Sequence, residues 1–316
     1  MSIRKLIVLT AALALSTACA RVEEQPKTQP TPQPQQQQQA DSVSYEQDLE
    51  QWRAKRLKNL KSEDGWLTLV GLFWLKEGEN RFGSDPSNEV VLPEGKVPAR
   101  AGTLRLASGK VMLEAQPGSG ITRDGQPVTT LELTSDEDGD PTVVDIGSIS
   151  FHVVKRGERI GLRVKDRDNP ARAEFKGTDY YPADRKWAVT ARFEPYQPPK
   201  QVPIVNVLGM ETEETSPGAL AFEVDGHPYK LEALKEKGEE QFFIIFADQT
   251  SGKETYGAGR YLYANPPGPD GTVLLDFNKS YSPPCAFTRY ATCPLPPQQN
   301  RLPLRVEAGE RYLGSH

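Results

Sequence analysis

From about residue 74 to 165 the chain is cut into short runs, "ENRFGS", "EVVLP", "AGTLRLAS", "KVMLEA", "ITRDGQPV", "TTLELTS", "TVVDIGSISFHVVKRG" and "RIGLRVKD", each bounded by Gly, Pro, Asp or Ser. Successive residues of a strand point to opposite faces, so alternating runs of this length bury one face and wet the other. Short strands at regular spacing with turn residues between them predict a β-sandwich. The 27 prolines and 26 glycines of the 316-residue chain carry the same punctuation through to its end, which favours strands over helices throughout.

The exception precedes the sandwich. In "SVSYEQDLEQWRAKRLKNLKS", residues 42–62, Tyr45, Leu49, Trp52, Leu57 and Leu60 recur at spacings of three to five with charges between them, the pattern of an amphipathic helix. Its Arg53 and Arg56 read as a solvated face. "DGWLTLVGLFWLKEGENRFGS" then opens a strand-and-turn region, with Gly65, Gly71 and Gly78 as breaks. Beyond residue 166, "RDNPAR" and "YYPADRKW" read as turns, "AVTARFEPY" as a strand leaving the first domain, "QPPKQVP" as punctuation, and "FEVDGHPYKLEAL" and "EQFFIIFAD" as further strands, the first around an Asp-Gly turn. The expected fold is mainly β: an N-terminal helix and β-sandwich over 42–165, then a second antiparallel β domain over 166–316.

The first residues carry an address. "MSIRKLIVLTAALALSTACA" places Arg4 and Lys5 before an apolar run and small residues ending at Cys19, a secretory leader too short to span a bilayer. "LSTAC" fits a lipobox, with Cys19 acylated as the new N-terminus; "ACA" fits ordinary signal cleavage. Residues 20–41 are Pro/Gln-rich and read as a disordered tether, which favours the lipid anchor: an exported protein held at the membrane surface on the periplasmic or outer side, with a signal peptide over 1–19. In an oxidising compartment the remaining Cys285 and Cys293 are expected to pair, closing the loop "CAFTRYATC" for about 2–3 kcal/mol. The alternatives are a nucleophilic cysteine, or two buried thiols.

A formal charge of −5 and no basic block interleaved with aromatics argue against nucleic acid as a partner. His152, His227 and His316 lie far apart without ligand spacing, so no metal site is expected. No cofactor fingerprint is present.

"RFGSDPSNEVVLP", "VPARAGTLRL", "KVMLEA", "ITRDGQPV" and "VVDIGSISFHVV" together resemble a forkhead-associated (FHA) domain, and the resemblance implies an eleven-stranded sandwich. FHA domains read phosphothreonine through loop Arg and Ser side chains. Here Ser84 stands where that family places Arg, and Pro98 to Gly102 replace its Ser-x-x-His, so charge-assisted capture of a phosphate is lost and no phosphopeptide partner is expected. The motifs "FADQTSGKETYGAGRYL", "LLDFNKSYSPPCAF", "ATCPLPPQQNRLPLRVEAGE" and "WLTLVGLFWLKEGENRFGSDP" resemble the bacterial and archaeal domain of unknown function 1684. That resemblance implies no activity.

Strand alternation then nominates a site. In "YGAGRYL", Tyr256 and Arg260 share a face; in "LLDFN", Asp276 and Asn278 do so opposite Leu275 and Phe277. "NPPGPDG" reads as a hairpin-like loop that sets Arg260 across from Asp276. The expectation is a C-terminal pocket for a small polar ligand, a peptide or an envelope protein, with Arg260 as anion clamp and Asp276 and Asn278 orienting. The structural alternative is a buried Arg–Asp pair that fixes register. A hydrolase or lyase would use Asp276 or Glu307 as base and Tyr256 as proton donor; a purely structural envelope role is the third reading. Ser251 in "DQTSG" lacks a nucleophile elbow, Glu307 and Glu310 read as exposed turn residues, and Asn300 and Arg301 as solvated loop.

Overall fold

The computed structural model describes residues 34–137 and 139–312; the leader, Cys19 and residues 20–33 of the expected tether lie outside the described residues. Residues from Tyr45 onward form one compact unit. Helix α1 spans Pro34–Leu60, so it begins inside the segment expected to be a tether: Pro34 suits a first helical turn, and the glutamines and alanine that follow are good helix formers. Leu49 and Leu60 of α1 are buried while Leu57 is exposed. The expected solvated face is overturned. Arg53 lies over the Tyr180 ring and donates to the Tyr181 carbonyl, and Arg56 pairs with buried Glu310 at 2.8 Å. Arginine stems and guanidinium planes cover aromatic surface, so charge at a helical position does not imply solvent.

Eleven strands follow: β1 (Leu69–Trp74), β2 (Gly78–Gly83), β3 (Val90–Val91), β4 (Gly102–Ala107), β5 (Lys110–Ala115), β6 (Thr122–Arg123), β7 (Gln126–Pro127), β8 (Thr130–Leu133), β9 (Val144–Ile146), β10 (Ile149–Arg156) and β11 (Arg159–Asp166). They form a six-stranded sheet, β1-β11-β10-β9-β6-β7, and a five-stranded sheet, β3-β2-β4-β5-β8, antiparallel but for β2 and β3. Asp124 and Gly125, both at positive φ, turn β6 into β7, the backbone that Asp-Gly supplies at least cost. The two sheets bury a core in which the Phe82 and Phe151 rings meet edge to face at 5.6 Å. Ile160, Leu162 and Val164 of β11 enter that core. Period-two alternation therefore puts Gly161, Arg163 and Lys165 on the outer face of the six-stranded sheet.

After the short helix α2 (Pro170–Glu174), N-capped by the Asn169 side chain, come β12 (Asp179–Tyr180), β13 (Ala188–Val205), β14 (Glu211–Val224), β15 (His227–Ala233), β16 (Phe242–Phe246), β17 (Arg260–Ala264), β18 (Thr272–Asp276) and β19 (Glu310–Arg311). The order β15-β14-β13-β18 makes a four-stranded antiparallel sheet, and β16 pairs with β17 and β12 with β19. "QPPKQVP" does not interrupt: β13 runs through it, with the register to β14 broken between Pro195 and Lys200, where residues lacking an N–H are tolerated. Phe277 centres the second core, with Phe246 at 5.4 Å, Phe222 at 5.7 Å and Trp187 at 6.4 Å.

Candidate functional site

The four nominated side chains do not converge. β17 pairs with β16 and β18 with β13, so Arg260 and Asp276 do not face each other across a ladder. Tyr256 precedes β17 in a loop. There Gly259 adopts φ +94° and approaches the Phe246 carbonyl so closely that a Cβ would stand 2.6 Å from it, a place only glycine fills. The Tyr256 hydroxyl donates to the Cys285 carbonyl at 3.0 Å. Arg260 is sealed at 0% exposure, held by Asp248 at 3.3 Å, the Val306 carbonyl at 2.9 Å and the Ala308 carbonyl. The expected Arg–Asp partnership exists, but with Asp248 of "ADQTSG".

Asp276 ends β18 and caps the 3₁₀ turn Phe277–Lys279, accepting from the Asn278 N–H. Asn278 is buried; its amide donates to the Tyr45 hydroxyl at 2.8 Å and to the Asp184 carbonyl at 2.9 Å, and its oxygen accepts from the Asp184 N–H. Tyr45 in turn donates to Asp276 at 2.8 Å. These residues tie α1 to the C-terminal sheet. Tyr45→Phe is expected to cost about 1–2 kcal/mol, because Asp276 and Asn278 each lose a partner; urea denaturation of the purified variant measures it. Glu307 is exposed and paired with Arg305. Glu310 and Asn300 correct the sequence reading: both are fully buried, Glu310 on Arg56 and the Ser282 N–H, Asn300 on the Glu232 and Ile245 backbone.

Convergence occurs elsewhere, where the outer face of the six-stranded sheet meets the C-terminal half. A cavity of about 340 Å³ is lined there by Arg56, Arg156 and Arg163, by Tyr261, Tyr263 and Tyr281, and by Thr292 and Cys293. It adjoins a hollow of about 490 Å³ that shares Arg56, Tyr263 and Tyr281 and includes Trp52, Asp276 and Lys279. The three arginines differ in partners. Arg56 has Glu310. Arg156 grips Asp136 with two bonds of 2.9 and 2.8 Å, the bidentate geometry that satisfies both ions.

Arg163 has no carboxylate within bonding distance among the described residues. It is 5% exposed, its Nε–H is unpartnered, and its Nη2 donates to the Thr292 hydroxyl at 3.2 Å, with the Trp66 ring 5.5 Å away. Burial first, and Arg156 second, push the guanidinium down to about 10, so it stays cationic at neutral pH. The same Thr292 oxygen accepts from Arg156 Nε at 3.0 Å. Two donors fill its lone pairs and leave its own O–H to give. Around Arg163 the cavity thus offers N–H and O–H donors and a cation with no bonded carboxylate, walled by aromatic rings; the one carboxylate in its lining among the described residues, Glu236, accepts from the Tyr263 hydroxyl at 2.7 Å.

His152 sits opposite Arg163 in the β10–β11 pair. Burial, then repulsion from Arg163, holds its imidazole at about 4 against an ordinary 6.5. A base with a depressed folded pKa stabilises the fold fully above the unfolded pKa and loses that contribution as pH falls through the folded one. Stability is therefore expected to drop by roughly 2–3 kcal/mol between pH 6.5 and 4 from this group. Comparing urea midpoints of wild type and His152→Gln across that range checks it; a slope unchanged in the variant removes the histidine from the account.

The family model described as "Protein of unknown function (DUF1684)" matches residues 173–311. The chain belongs to that family. Its DUF1684 segment supplies the tyrosines, Thr292 and Cys293 of the cavity, while Arg56, Arg156 and Arg163 come from the helix and sandwich before it. The solution NMR structure of the uncharacterised protein from gene locus rrnAC0354 of Haloarcula marismortui is similar at 32% identity, over 44% of this chain and 78% of that one, with a TM-score of 0.38. An FHA domain from a structural and functional analysis of phosphothreonine-dependent FHA domain interactions is similar at 23% identity, over 31% of this chain and 96% of that one, with a TM-score of 0.22. The FhaA FHA domain complexed with the intracellular domain of Rv3910 is similar at 22% identity, over 30% and 97% of the two chains, with a TM-score of 0.22. No curated protein matches.

Proposed function

We propose that this is an exported, lipid-anchored binding protein that holds a small anionic ligand, one bearing a carboxylate, phosphate or sulfate group, in the cleft between the sandwich and the DUF1684 segment. The observation that carries the reading is Arg163: a buried cation without a carboxylate partner among the described residues, opening on a cavity. Removing a charge from water is costly unless an opposite charge or several hydrogen bonds replace the hydration, and a ligand anion meets both needs. The aromatic wall of Tyr261, Tyr263 and Tyr281 suits the apolar body of such a ligand, in the usual division between apolar lining and few polar anchors. The leader, the Cys19 lipobox and the Pro/Gln-rich stretch of the sequence support export and anchoring.

The test is a thermal-shift and calorimetric series with inorganic phosphate, sulfate, succinate and citrate against neutral glycerol. Anions are expected to raise the melting temperature with saturation, by the mass-action term for a ligand that binds only the folded state. No anion-specific shift, or an equal shift in Arg163→Met, sinks the reading.

A further inference from the structure

The wall of the cleft that holds Arg163 also holds the Cys293 thiol, and Cys285 packs against the same small core cluster behind it; the anion reading uses neither. Cys285 and Cys293 are both free, so the expected bridge is not formed here, yet they are in register to form it. The Cys285 N–H points to the Cys293 sulfur at 3.1 Å and the Cys293 N–H to the Cys285 sulfur at 3.4 Å. Each sulfur therefore sits against the other's backbone. The segment is held from both sides: Tyr256 donates to the Cys285 carbonyl, Tyr261 to the Pro294 carbonyl at 2.9 Å, and the Val207 N–H to the Cys293 carbonyl at 2.9 Å. Cys293 is buried and lines the cavity next to Thr292, whereas Cys285 is half-buried.

We infer that Cys285 and Cys293 form a thiol–disulfide exchange site in the wall of the cleft, taking a small-molecule disulfide as co-substrate, and that closing the bridge frees Arg163 to bind the anion. The second half of this inference rests on the anion-cleft reading; the first stands on the cysteine geometry. The Cys285 thiolate attacks one sulfur of a disulfide RSSR. The S–S bond breaks, one RS⁻ leaves and takes up a proton, and Cys285 carries a mixed disulfide. Cys293 then loses its proton and attacks the Cys285 sulfur, expelling the second RS⁻. Two protein thiols are oxidised and one disulfide is reduced to two thiols, with two electrons transferred.

The roles follow from exposure and charge. Cys285 is the more accessible sulfur, and the hydrogen bond from Cys293, aided by the Arg163 charge, draws its thiol below the ordinary range; burial holds Cys293 above it. A thiolate attacks and a buried thiol resolves. Arg163 and Cys293 line the same cavity, so a thiolate formed on the reduced pair sets a negative charge beside this cation and competes with a ligand anion. A disulfide is neutral and cannot compete with a ligand for that cation.

The test uses the folded chain from residue 34 onward with its native cysteines, at pH 8. Reduced protein is incubated with oxidised glutathione, alkylated and mapped by mass spectrometry. An internal Cys285–Cys293 bridge is expected, with glutathione trapped on Cys285 in Cys293→Ser and little on Cys293 in Cys285→Ser. Glutathione accumulating on Cys293 instead, or no bridge in wild type, overturns the exchange site. Phosphate is then titrated into bridged and reduced wild type: the bridged form is expected to bind roughly three- to tenfold more tightly, by relief of one nearby charge. A bridge that forms with phosphate affinity unchanged overturns the coupling. Phosphate binding to neither form overturns the anion cleft while the mass data still judge the exchange site alone.

Discussion

Arg260→Ala is expected to lower the free energy of unfolding by about 3–5 kcal/mol, the usual loss when one member of a buried ion pair is removed. The guanidinium is fully enclosed and 5.1 Å over the Phe246 ring. Its removal strips a donor from the Val306 carbonyl and from the Ala308 carbonyl, which join the segment before β19 to the body of the fold. It also leaves Asp248 a buried carboxylate whose remaining partners are neutral: the Val306 N–H at 2.7 Å, Thr250 and Ser251. Urea denaturation followed by tryptophan fluorescence measures the loss. Arg260→Lys keeps the charge but not the two-carbonyl fork and is expected to recover only part of it. If Arg260→Ala costs under about 1 kcal/mol and weakens anion binding instead, Arg260 is the ligand clamp that its strand position first suggested.

That contrast shows what could be read from the sequence. The strands of the sandwich were legible because each is an alternating run stopped by a residue with a backbone reason to stop it, as Asp124-Gly125 does between β6 and β7. α1 was legible from its spacing, but the fate of Arg53 and Arg56 was not. Whether a helical arginine faces water or an aromatic ring is decided by what docks on the helix, here the rings of Tyr180 and Tyr281. Arg260 was correctly read as part of an Arg–Asp pair and given the wrong partner. The hairpin assumption linked the strands on either side of "NPPGPDG", whereas the ladder runs between β16 and β17. That sets Phe246 opposite Arg260 and brings Asp248, two residues further on, within reach. Asp276 looked like a site residue because its strand was extended through Asn278; the chain instead turns at Asp276, which caps that turn.

Arg163 was invisible for a different reason. In "RIGLRVKD" it alternates with Leu162 and Val164 as any solvent-facing strand residue would, and the alternation was right about the face. What no periodicity encodes is that the outer face is covered, by a loop whose Thr292 is 129 residues away in sequence. The family segment gave no help with it, since the arginines of the cleft lie outside residues 173–311. Sites assembled where two packed halves meet carry their chemistry on residues that look like ordinary surface in each half.

Replacing this arginine is the experiment in which stability and function should move apart. Arg163→Met is expected to reduce anion affinity by about a hundredfold or more, the effect of deleting one charge from a desolvated pair, while leaving the free energy of unfolding unchanged or raising it by about 1 kcal/mol. The methionine keeps an unbranched apolar stem of similar length against Trp66 and removes a buried charge whose bonded partner is a hydroxyl shared with Arg156. Substituting a poorly paired buried ion by an apolar residue of similar volume is commonly neutral or stabilising. Thr292 retains Arg156 as a donor, so no acceptor is orphaned. Arg156→Met supplies the opposite pattern: it abandons Asp136, held by two bonds, and should destabilise the fold by about 2–3 kcal/mol with a smaller effect on affinity. The pair of variants is therefore read on two axes, denaturant midpoint and phosphate titration. A structural Arg163 would lose stability and leave binding alone; a ligand-holding Arg163 does the reverse, because the cost of keeping that cation out of water is then met by the anion and not by the fold.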